Sequence, residues 1–397
     1  MVMPKNLEDF FLEHKFFSSI TNESDRNIAG RLLVADKLFQ NMLEGVFITD
    51  TTGVIKFINP AFSRITDYGE EIIGQTPRTF QSGKHDATFY QSMWQSVEQN
   101  GKWEGEIWNK KRNGELFLQQ TTITIIKNES GQALYYAAVI TDITERRKAE
   151  ERLKDDLLLA KEVQKSALSQ PIHNESIHIA GMYRPSELLG GDMYAWYQID
   201  SHRYGIIMID VMGHGVASAL VCMSVRSLLR GIINTFIEPE RVLEELNKHV
   251  YSLFREKESS QTKNYYLTCA YVVVDTNEHR IRYALAGHPP VFLISTDGDV
   301  NLLEEGTVPL GMLKNIVVKT GDHQYTPQHA WMVLYTDGLI ESEGKSLRGN
   351  MGLLKNALVK NRSMNLDEMM HHSIANQLTE LSISTFQDDV TMVVAKL

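Results

Sequence analysis

Three apolar segments in the second half of the chain begin or end in aspartate. Ile206-Ile-Met-Ile-Asp210 runs into Val-Met-Gly-His-Gly215, Met332-Val-Leu-Tyr-Thr-Asp337 runs into Gly338, and Gln387-Asp388-Asp389 opens Val-Thr-Met-Val-Val394. Aspartate is depleted in strands. A carboxylate at a strand end, beside a glycine that lets backbone approach closely, can aim oxygens at a hard cation. Asp192, in Gly190-Gly191-Asp192, is a fourth such position. Four or five clustered carboxylates repel one another unless a divalent ion neutralises them. The chain has no His/Cys cluster at zinc spacing, so oxygen-preferring Mg²⁺ or Mn²⁺ is the expected ion. The competing reading is a plain hairpin turn, the usual role of Asp-Gly after a strand. Thr296-Asp297-Gly298 repeats Thr336-Asp337-Gly338 and is read as a turn alone.

Other residues that attract chemical readings also have structural ones. His214, between two glycines, could touch a substrate or could simply turn the chain into the next helix; the turn is favoured. His288, ahead of Pro289-Pro290, could protonate a leaving group, but a rigid turn explains the motif equally. His371-His372 has no partner histidine four residues on and reads as a solvated face. His85 is the sole histidine between 40 and 145 and could ligate haem, although capping or a surface position is favoured. No Ser/His/Asp or reactive-cysteine pattern is visible. Cys222 and Cys269 lie in apolar stretches and read as buried free thiols of a reducing cytosol.

These positions need a scaffold. At 397 residues the chain should hold two or three domains, and 43% hydrophobic with 23% charged residues excludes a wholly disordered chain. The net charge of −10 disfavours nucleic acid as a partner. No uninterrupted apolar run approaches the ~20 residues of a membrane span, and the amino terminus lacks a secretory pattern. The expectation is a cytoplasmic protein with no membrane partner. Residues 1–39 read as a helical segment, with Phe10, Phe11, Phe16, Phe17 and Ile20 at loose helical spacing. From Gly45 the pattern becomes strands: a hairpin over 46–58, then 103–109, 115–126 and 133–142, separated by Arg112-Asn-Gly114 and Asn128-Glu-Ser-Gly131. Residues 146–170 are strongly charged, with Ala149, Leu153, Leu157, Ala160, Val163 and Ala167 stepping by three or four. That stripe fits a packed helix or a dimer seam equally. Beyond it, strands mostly follow strands, and two pairs of long helices interrupt them. The fold class is α+β, an antiparallel sheet system with helices outside.

The ordered set Gly190-Gly-Asp-Met-Tyr194, Asp210-Val-Met-Gly-His-Gly215, Ala286-Gly-His-Pro-Pro290, Pro309-Leu-Gly311, Tyr335-Thr-Asp-Gly338 and Asp388-Asp-Val-Thr-Met392 resembles the SpoIIE/RsbU-type serine phosphatases. These are the bacterial branch of the metal-dependent protein phosphatase 2C (PPM) family. The resemblance implies an α/β/β/α sandwich over 171–397 with two divalent cations at one edge. By motif, Asp210 would bridge both ions and the Val211 carbonyl would bind the second. Asp337 and Asp388 would hold the first, Asp192 would bind or orient a water of the site, and Asp389 is a further candidate ligand. Where the family often has Phe-Tyr-Asp after Gly-Gly-Asp, this chain has Met193 and Ala195 at the first and third places. No position is assignable to the phosphate-binding arginine of eukaryotic relatives; Arg184 is the nearest candidate.

Residues 40–145 resemble a PAS sensor domain through Asn59-Pro-Ala-Phe62, Gly74-Gln-Thr-Pro77, Trp103-Glu-Gly-Glu-Ile-Trp-Asn109, Arg112-Asn-Gly-Glu115 and Thr141-Asp-Ile-Thr-Glu145. The PAS ligand is left open, with FAD among the options; light-driven flavin–thiol chemistry is excluded because 1–150 contains no cysteine. The order of PAS, helix and phosphatase is similar to the energy-stress phosphatases of Gram-positive bacteria. That implies a phosphorylated STAS-domain anti-sigma-factor antagonist as substrate, an upstream activator acting on the PAS domain, and a homodimer. Two rivals remain: a diguanylate cyclase, because Gly190-Gly-Asp192 resembles part of its signature, and a non-catalytic scaffold with a degenerate phosphatase fold.

Overall fold

A computed structural model describes residues 23–255, 265–341, 346–383 and 386–397. The aromatic stripe Phe10–Ile20 lies outside the described residues. The chain divides into two compact units, Met1–Leu153 and Lys154–Leu397.

In the first unit, helix α1 (Glu23–Asn41) precedes β1 (Gly45–Asp50) and β2 (Ile55–Ile58). Two helices follow, α2 (Pro60–Thr66) and α3 (Ala87–Asn100), then β3 (Lys102–Lys110), β4 (Leu116–Lys127) and β5 (Ala133–Asp142). The strands form one antiparallel sheet in the order β2-β1-β5-β4-β3. Local chemistry sets the helix ends. Pro60 occupies the first turn of α2, Asn59 caps it, and Asp67 closes it in the left-handed region at φ 61°. Asp86 caps α3 by accepting from the Phe89 N–H at 2.9 Å. Phe47, Phe62 and Phe80 meet edge to face, with centroids 5.5 to 5.9 Å apart, and anchor the core. Beside them lies a cavity of about 970 Å³ lined by Phe80, Tyr90, Trp94, Asn109, Gln119 and Tyr136, among others. His85 is stacked on Phe89, and its Nε2 accepts from the Trp108 N–H at 2.8 Å. That nitrogen is committed to holding β3, so haem ligation through it would cost a strand contact.

The second unit begins inside α4 (Thr144–Ala167) and continues with β6 (Ile172–His173), β7 (His178–Arg184), β8 (Asp192–Gln198) and β9 (Arg203–Val211). Helices α5 (Val216–Phe236) and α6 (Pro239–Arg255) come next. They are followed by β10 (Leu267–Asp275), β11 (Arg280–Ala286), β12 (Val291–Ser295), β13 (Val300–Leu303), β14 (Gly306–Thr307), β15 (Gly321–Gln324) and β16 (Ala330–Tyr335). Helices α7 (Leu347–Asn361) and α8 (Leu366–Leu381) precede the last strand, β17 (Val390–Lys396). One sheet runs β14-β11-β10-β9-β8, with β15 on β11, and the other runs β13-β12-β16-β17-β7-β6.

Alternation along each strand separates the layers. Met208, Ala270, Met332, Leu334 and Val393 are buried in the core that the two sheets share, which extends to α5 and α6. Val333, Tyr335, Met392 and Val394 instead pack with Leu354, Leu358, Met370 and Ile374 of α7 and α8. The result is a helix–sheet–sheet–helix sandwich, as expected of an α+β chain with helices outside. Among the described residues, α5 alone is long and apolar enough by composition to cross a membrane. Its buried residues Ala219, Cys222, Val225, Leu229 and Ile233 step by three or four, the stripe of a helix laid on a sheet.

Asn59 gives the first unit a test. Its Oδ1 accepts from the Val46 N–H at 2.7 Å and the Phe62 N–H at 2.9 Å, and its amide donates to the Phe39 and Glu44 carbonyls at 3.2 and 2.9 Å. Asn59→Ala strips partners from buried backbone groups on three segments and should destabilise this unit by about 2–4 kcal/mol. Chemical denaturation followed by tryptophan fluorescence should show an earlier transition; an unmoved midpoint would contradict that account.

Candidate metal centre

Five aspartates collect at one edge of the sandwich. Asp192 opens β8, Asp210 sits one residue from the end of β9, Asp337 follows β16 and Asp388-Asp389 precede β17. Both sheets therefore contribute. Asp192 and Asp210 are direct partners in the antiparallel pairing of β8 with β9.

Asp192 is 1% exposed. Its Oδ2 accepts from the Thr336 hydroxyl at 2.8 Å and the Thr391 hydroxyl at 2.7 Å, both from the opposite sheet. Its Oδ1 is buried with no hydrogen-bond partner. The Asp210 carboxyl lies close enough to those of Asp192, Asp337 and Asp388 to feel their charge. Burial, reinforced by the neighbouring carboxylates, drives the affinity for protons of Asp192, Asp210 and Asp337 above the ordinary carboxylate range. Among the described residues, no lysine, arginine or histidine forms an ion pair with any of the five. Carboxylates so placed share protons or hold a cation, since several uncompensated buried charges would cost many kcal/mol.

Glycines and backbone shape the same edge. A Cβ on Gly191 would stand 2.6 Å from the Val211 carbonyl oxygen and 3.0 Å from that of Gly213. Glycine thus lets the Asp192 loop pass beside the backbone after Asp210. A Cβ on Gly338 would meet the Asp389 carbonyl oxygen at 2.1 Å, so Asp-Gly here is the condition for bringing Asp337 beside Asp388. Thr296-Asp297-Gly298, by contrast, forms the β12–β13 hairpin turn, where the Gly298 N–H donates to Ser295 at 3.0 Å. The tripeptides match, and only the second is brought to the cluster.

Asp389 is engaged differently. Its Oδ1 accepts from the Ser186 N–H at 2.7 Å and the Ser186 hydroxyl at 3.0 Å, and its Oδ2 from the Gly191 N–H at 2.6 Å. Its oxygens fasten the loop that delivers Asp192. Gln164, in the last turns of α4 and 3% exposed, grips the same loop from the other side. Its amide donates to the Gly190 carbonyl at 2.6 Å, while its Oε1 accepts from the Gly190 N–H at 3.3 Å and the Tyr183 hydroxyl at 3.2 Å. Sequence reasoning missed Gln164, Thr336 and Thr391 as site residues. The threonines carried a signal, since each stands within two residues of an aspartate in a motif; Gln164 carried none.

The remaining candidates lie apart from this cluster. Arg184 is exposed and its guanidinium lies 3.4 Å from His371 Nδ1. His214 pairs with Glu187 at 3.1 Å on the surface. His288 is buried, and burial holds it neutral, pushed down to about 4, with Nδ1 beside the Pro289 carbonyl at 3.0 Å. A neutral imidazole has no proton to give a leaving group near pH 7. Burial pushes both cysteine thiols up, which leaves no thiolate nucleophile.

No three of these side chains close around a common point as a formed metal cage. The carboxylates nevertheless stand close enough to raise one another's proton affinity, and that mutual repulsion is what a hard divalent cation relieves. The donor set, all oxygen with an orphaned buried Asp192 Oδ1 and an approaching carbonyl, fits Mg²⁺ or Mn²⁺.

Residues 200–397 match the Stage II sporulation protein E (SpoIIE) family, and residues 43–145 match a PAS domain. The carboxy-terminal half of the chain belongs to the SpoIIE family of PPM-type proteins, behind a PAS domain. Phosphoserine phosphatase RsbP of Bacillus subtilis is 39% identical over 188 residues, covering 47% of this chain and 46% of RsbP. The chain thus spans about half the length of that relative. Phosphoserine phosphatase RsbU of the same organism is 25% identical over 253 residues, covering 62% of this chain and 71% of RsbU. Among solved structures, the SiaA PP2C domain of Pseudomonas aeruginosa superposes with a TM-score of 0.51 at 20% identity, over 63% of this chain and 98% of that domain. That likeness establishes the shared sandwich.

The cluster predicts a thermal signature. Saturating Mn²⁺, at about 100 times its dissociation constant, should stabilise the second unit by ~2.7 kcal/mol and raise its melting temperature by several degrees. Asp210→Asn should melt no lower than the wild type without metal, because one repelling carboxylate is gone, yet lose most of the Mn²⁺ shift. Calorimetry with and without Mn²⁺ measures both; an undiminished shift in the variant would remove Asp210 from the ligand set.

Proposed function

We propose that the chain is a metal-dependent protein serine/threonine phosphatase controlled through its PAS domain. One observation carries this reading: carboxylates from strand ends of both sheets are gathered at one edge, Asp192 and Asp389 buried and the others half-buried, with no cationic side chain paired to them among the described residues, in a unit of the SpoIIE family. In this reading Asp210, the Val211 carbonyl, Asp337 and Asp388 are the groups that would hold two divalent cations. Asp192 binds or orients a water of the site, held in one rotamer by Thr336 and Thr391. Asp389 fixes the Asp192 loop and adds negative charge. When bound, Mn²⁺ or Mg²⁺ supplies a water of lowered pKa and neutralises charge spreading over the phosphoryl oxygens. The protein's own groups do the rest. They hold the oxygens in place before substrate arrives, and they offer no competing nucleophile, since both thiols are buried.

The substrate follows from the relatives by analogy. RsbP and RsbU are named phosphoserine phosphatases, and we assign this chain a phosphoserine or phosphothreonine on a STAS-domain anti-sigma-factor antagonist, whose dephosphorylation would release a stress-response sigma factor. The complete set Asp192, Asp210, Asp337 and Asp388 argues against a degenerate scaffold. The family match over 200–397 leaves the cyclase reading with nothing beyond Gly190-Gly-Asp192. Hydrolysis of p-nitrophenyl phosphate and of a phosphorylated STAS protein should require Mn²⁺ or Mg²⁺ and vanish in excess EDTA. Asp210→Asn should cost at least ~10²-fold in rate. Full turnover in chelator would sink the proposal.

Control is assigned to α4 acting in a homodimer, with an upstream activator working on the PAS domain. Leu153 and Val163, two residues of the stripe, are 61% and 52% exposed, an apolar load for an isolated helix that a second copy would cover. The same helix carries Gln164 in its last turn, bonded to the Gly190 backbone two residues from Asp192. Leu153→Glu combined with Leu157→Glu should dissociate the dimer and change basal activity. Light scattering and turnover test this; a double variant that stays dimeric places the seam elsewhere, and one that turns monomeric with unchanged activity shows that α4 transmits nothing.

A further inference from the structure

Thr268 lies on β10 as the direct cross-strand partner of Asp210, which is itself the partner of Asp192. The three residues therefore form one row across β8, β9 and β10. Direct antiparallel partners project from the same face with Cβ atoms about 5 Å apart, so the Thr268 side chain issues beside the Asp210 carboxyl. Its hydroxyl is buried and makes no hydrogen bond. The two flanking residues, Leu267 and Cys269, are fully buried. The start of the strand is fixed by paired backbone bonds between Leu267 and Leu310, at 3.1 and 2.9 Å. The backbone at Thr268 is thus held in place, and in its rotamer the hydroxyl is shielded from water.

A valine would fill this place with the same shape and no polar atom to desolvate, and valine is what β10 uses at Val272, Val273 and Val274. An unspent hydroxyl in that strand is costly unless something accepts its proton. At the other end of the row, Asp192 Oδ1 is also buried and unpartnered. Two orphaned oxygens thus flank Asp210 on the face where the carboxylates converge. Carboxylates can only accept once ionised, so a hydroxyl supplies the donor that this row otherwise lacks.

Resting on the phosphatase reading above, we infer that Thr268 is a positioning residue whose hydroxyl donates a hydrogen bond to an oxygen held over Asp210, either a water of the metal shell or an oxygen of the phosphoryl group. The hydroxyl remains chemically intact. It orients that oxygen and restricts where it can sit.

The test compares Thr268→Val, Thr268→Ala and Thr268→Ser in the full-length chain. Three readouts are taken: Mn²⁺ binding without substrate, from the electron paramagnetic resonance signal of free Mn²⁺; inhibition by inorganic phosphate; and kcat and KM on p-nitrophenyl phosphate. Val and Ala should lower kcat/KM about tenfold, the scale of one lost hydrogen bond to a charged group, while Ser stays within about threefold of the wild type. If the oxygen belongs to a water of the metal shell, Val and Ala also weaken Mn²⁺ binding about tenfold. If it belongs to the phosphoryl group, Mn²⁺ binding is unchanged and the phosphate inhibition constant rises about tenfold. Should Val fold poorly, Ala against Ser still isolates the hydroxyl, since both lack the methyl group. Val and Ala variants that bind Mn²⁺ and phosphate like the wild type, and turn over no worse than Ser, overturn the assignment. A wild type that binds Mn²⁺ but hydrolyses nothing defeats the phosphatase reading instead; Mn²⁺ binding, with phosphate binding measured by calorimetry in place of inhibition, then decides the role of Thr268.

Discussion

Two threonine hydroxyls on one sheet hold a single carboxylate of the other. Thr336 and Thr391 both donate to Asp192 Oδ2, and Thr336 Oγ1 accepts from the Thr391 N–H at 3.0 Å. This closed set of bonds pins the end of β8 to the ends of β16 and β17. Without it the edge would be two rows of aspartates on separate layers, free to move apart under their own repulsion. Each bond to a charged oxygen contributes about 1.5–3 kcal/mol. Burying the carboxylate costs several kcal/mol. The tie is thus near balance as a source of stability, and its consequence is position: Asp192 has one place to be.

The other features of the edge follow from that placement. The loop before Asp192 must pass between the Val211 carbonyl and Asp389, and a side chain at Gly190 or Gly191 would collide with one or the other. Asp389 spends its oxygens on this loop and Gln164 braces the opposite side, so the loop is bonded on both flanks. The Asp210 carboxyl then sits between Asp192 and Asp337, and among the described residues no cationic side chain pairs with it. The sandwich tolerates this in exchange for a pocket of oriented oxygens, an arrangement that favours a doubly charged ion over any side chain of the protein.

The PAS unit is built on the opposite principle. Its polar tie, Asn59, is satisfied at every hydrogen-bonding position by backbone from three segments, and its aromatic core is packed edge to face. Its cavity lies among aromatic and amide side chains, with no cysteine in the unit. One unit concentrates unsatisfied charge at an edge, and the other encloses volume beneath a sheet. Helix α4 belongs partly to each, and its last turns end on the loop that carries Asp192.

Much of this was legible in the residues themselves. Apolar segments and their turn residues identified the longer strands of both units, because hydrophobic burial and turn conformation are local properties; the short strands β6, β13, β14 and β15, too brief to carry a pattern, were not legible. The order of the aspartate motifs pointed to the cluster. Tertiary structure decided what local chemistry leaves open. Asp297 and Asp337 share the same neighbours, yet only Asp337 is beside another aspartate, because Gly338 is pressed against the Asp389 backbone from a strand that is distant in sequence. Asp388 and Asp389 are adjacent and alike in sequence, yet Asp389 is consumed by Ser186 and Gly191. Gln164 is one polar residue in a charged helix until the fold sets Gly190 against it. A side chain's type states which bonds it can make, and the partner that meets it depends on which strands the whole chain brings to the same edge.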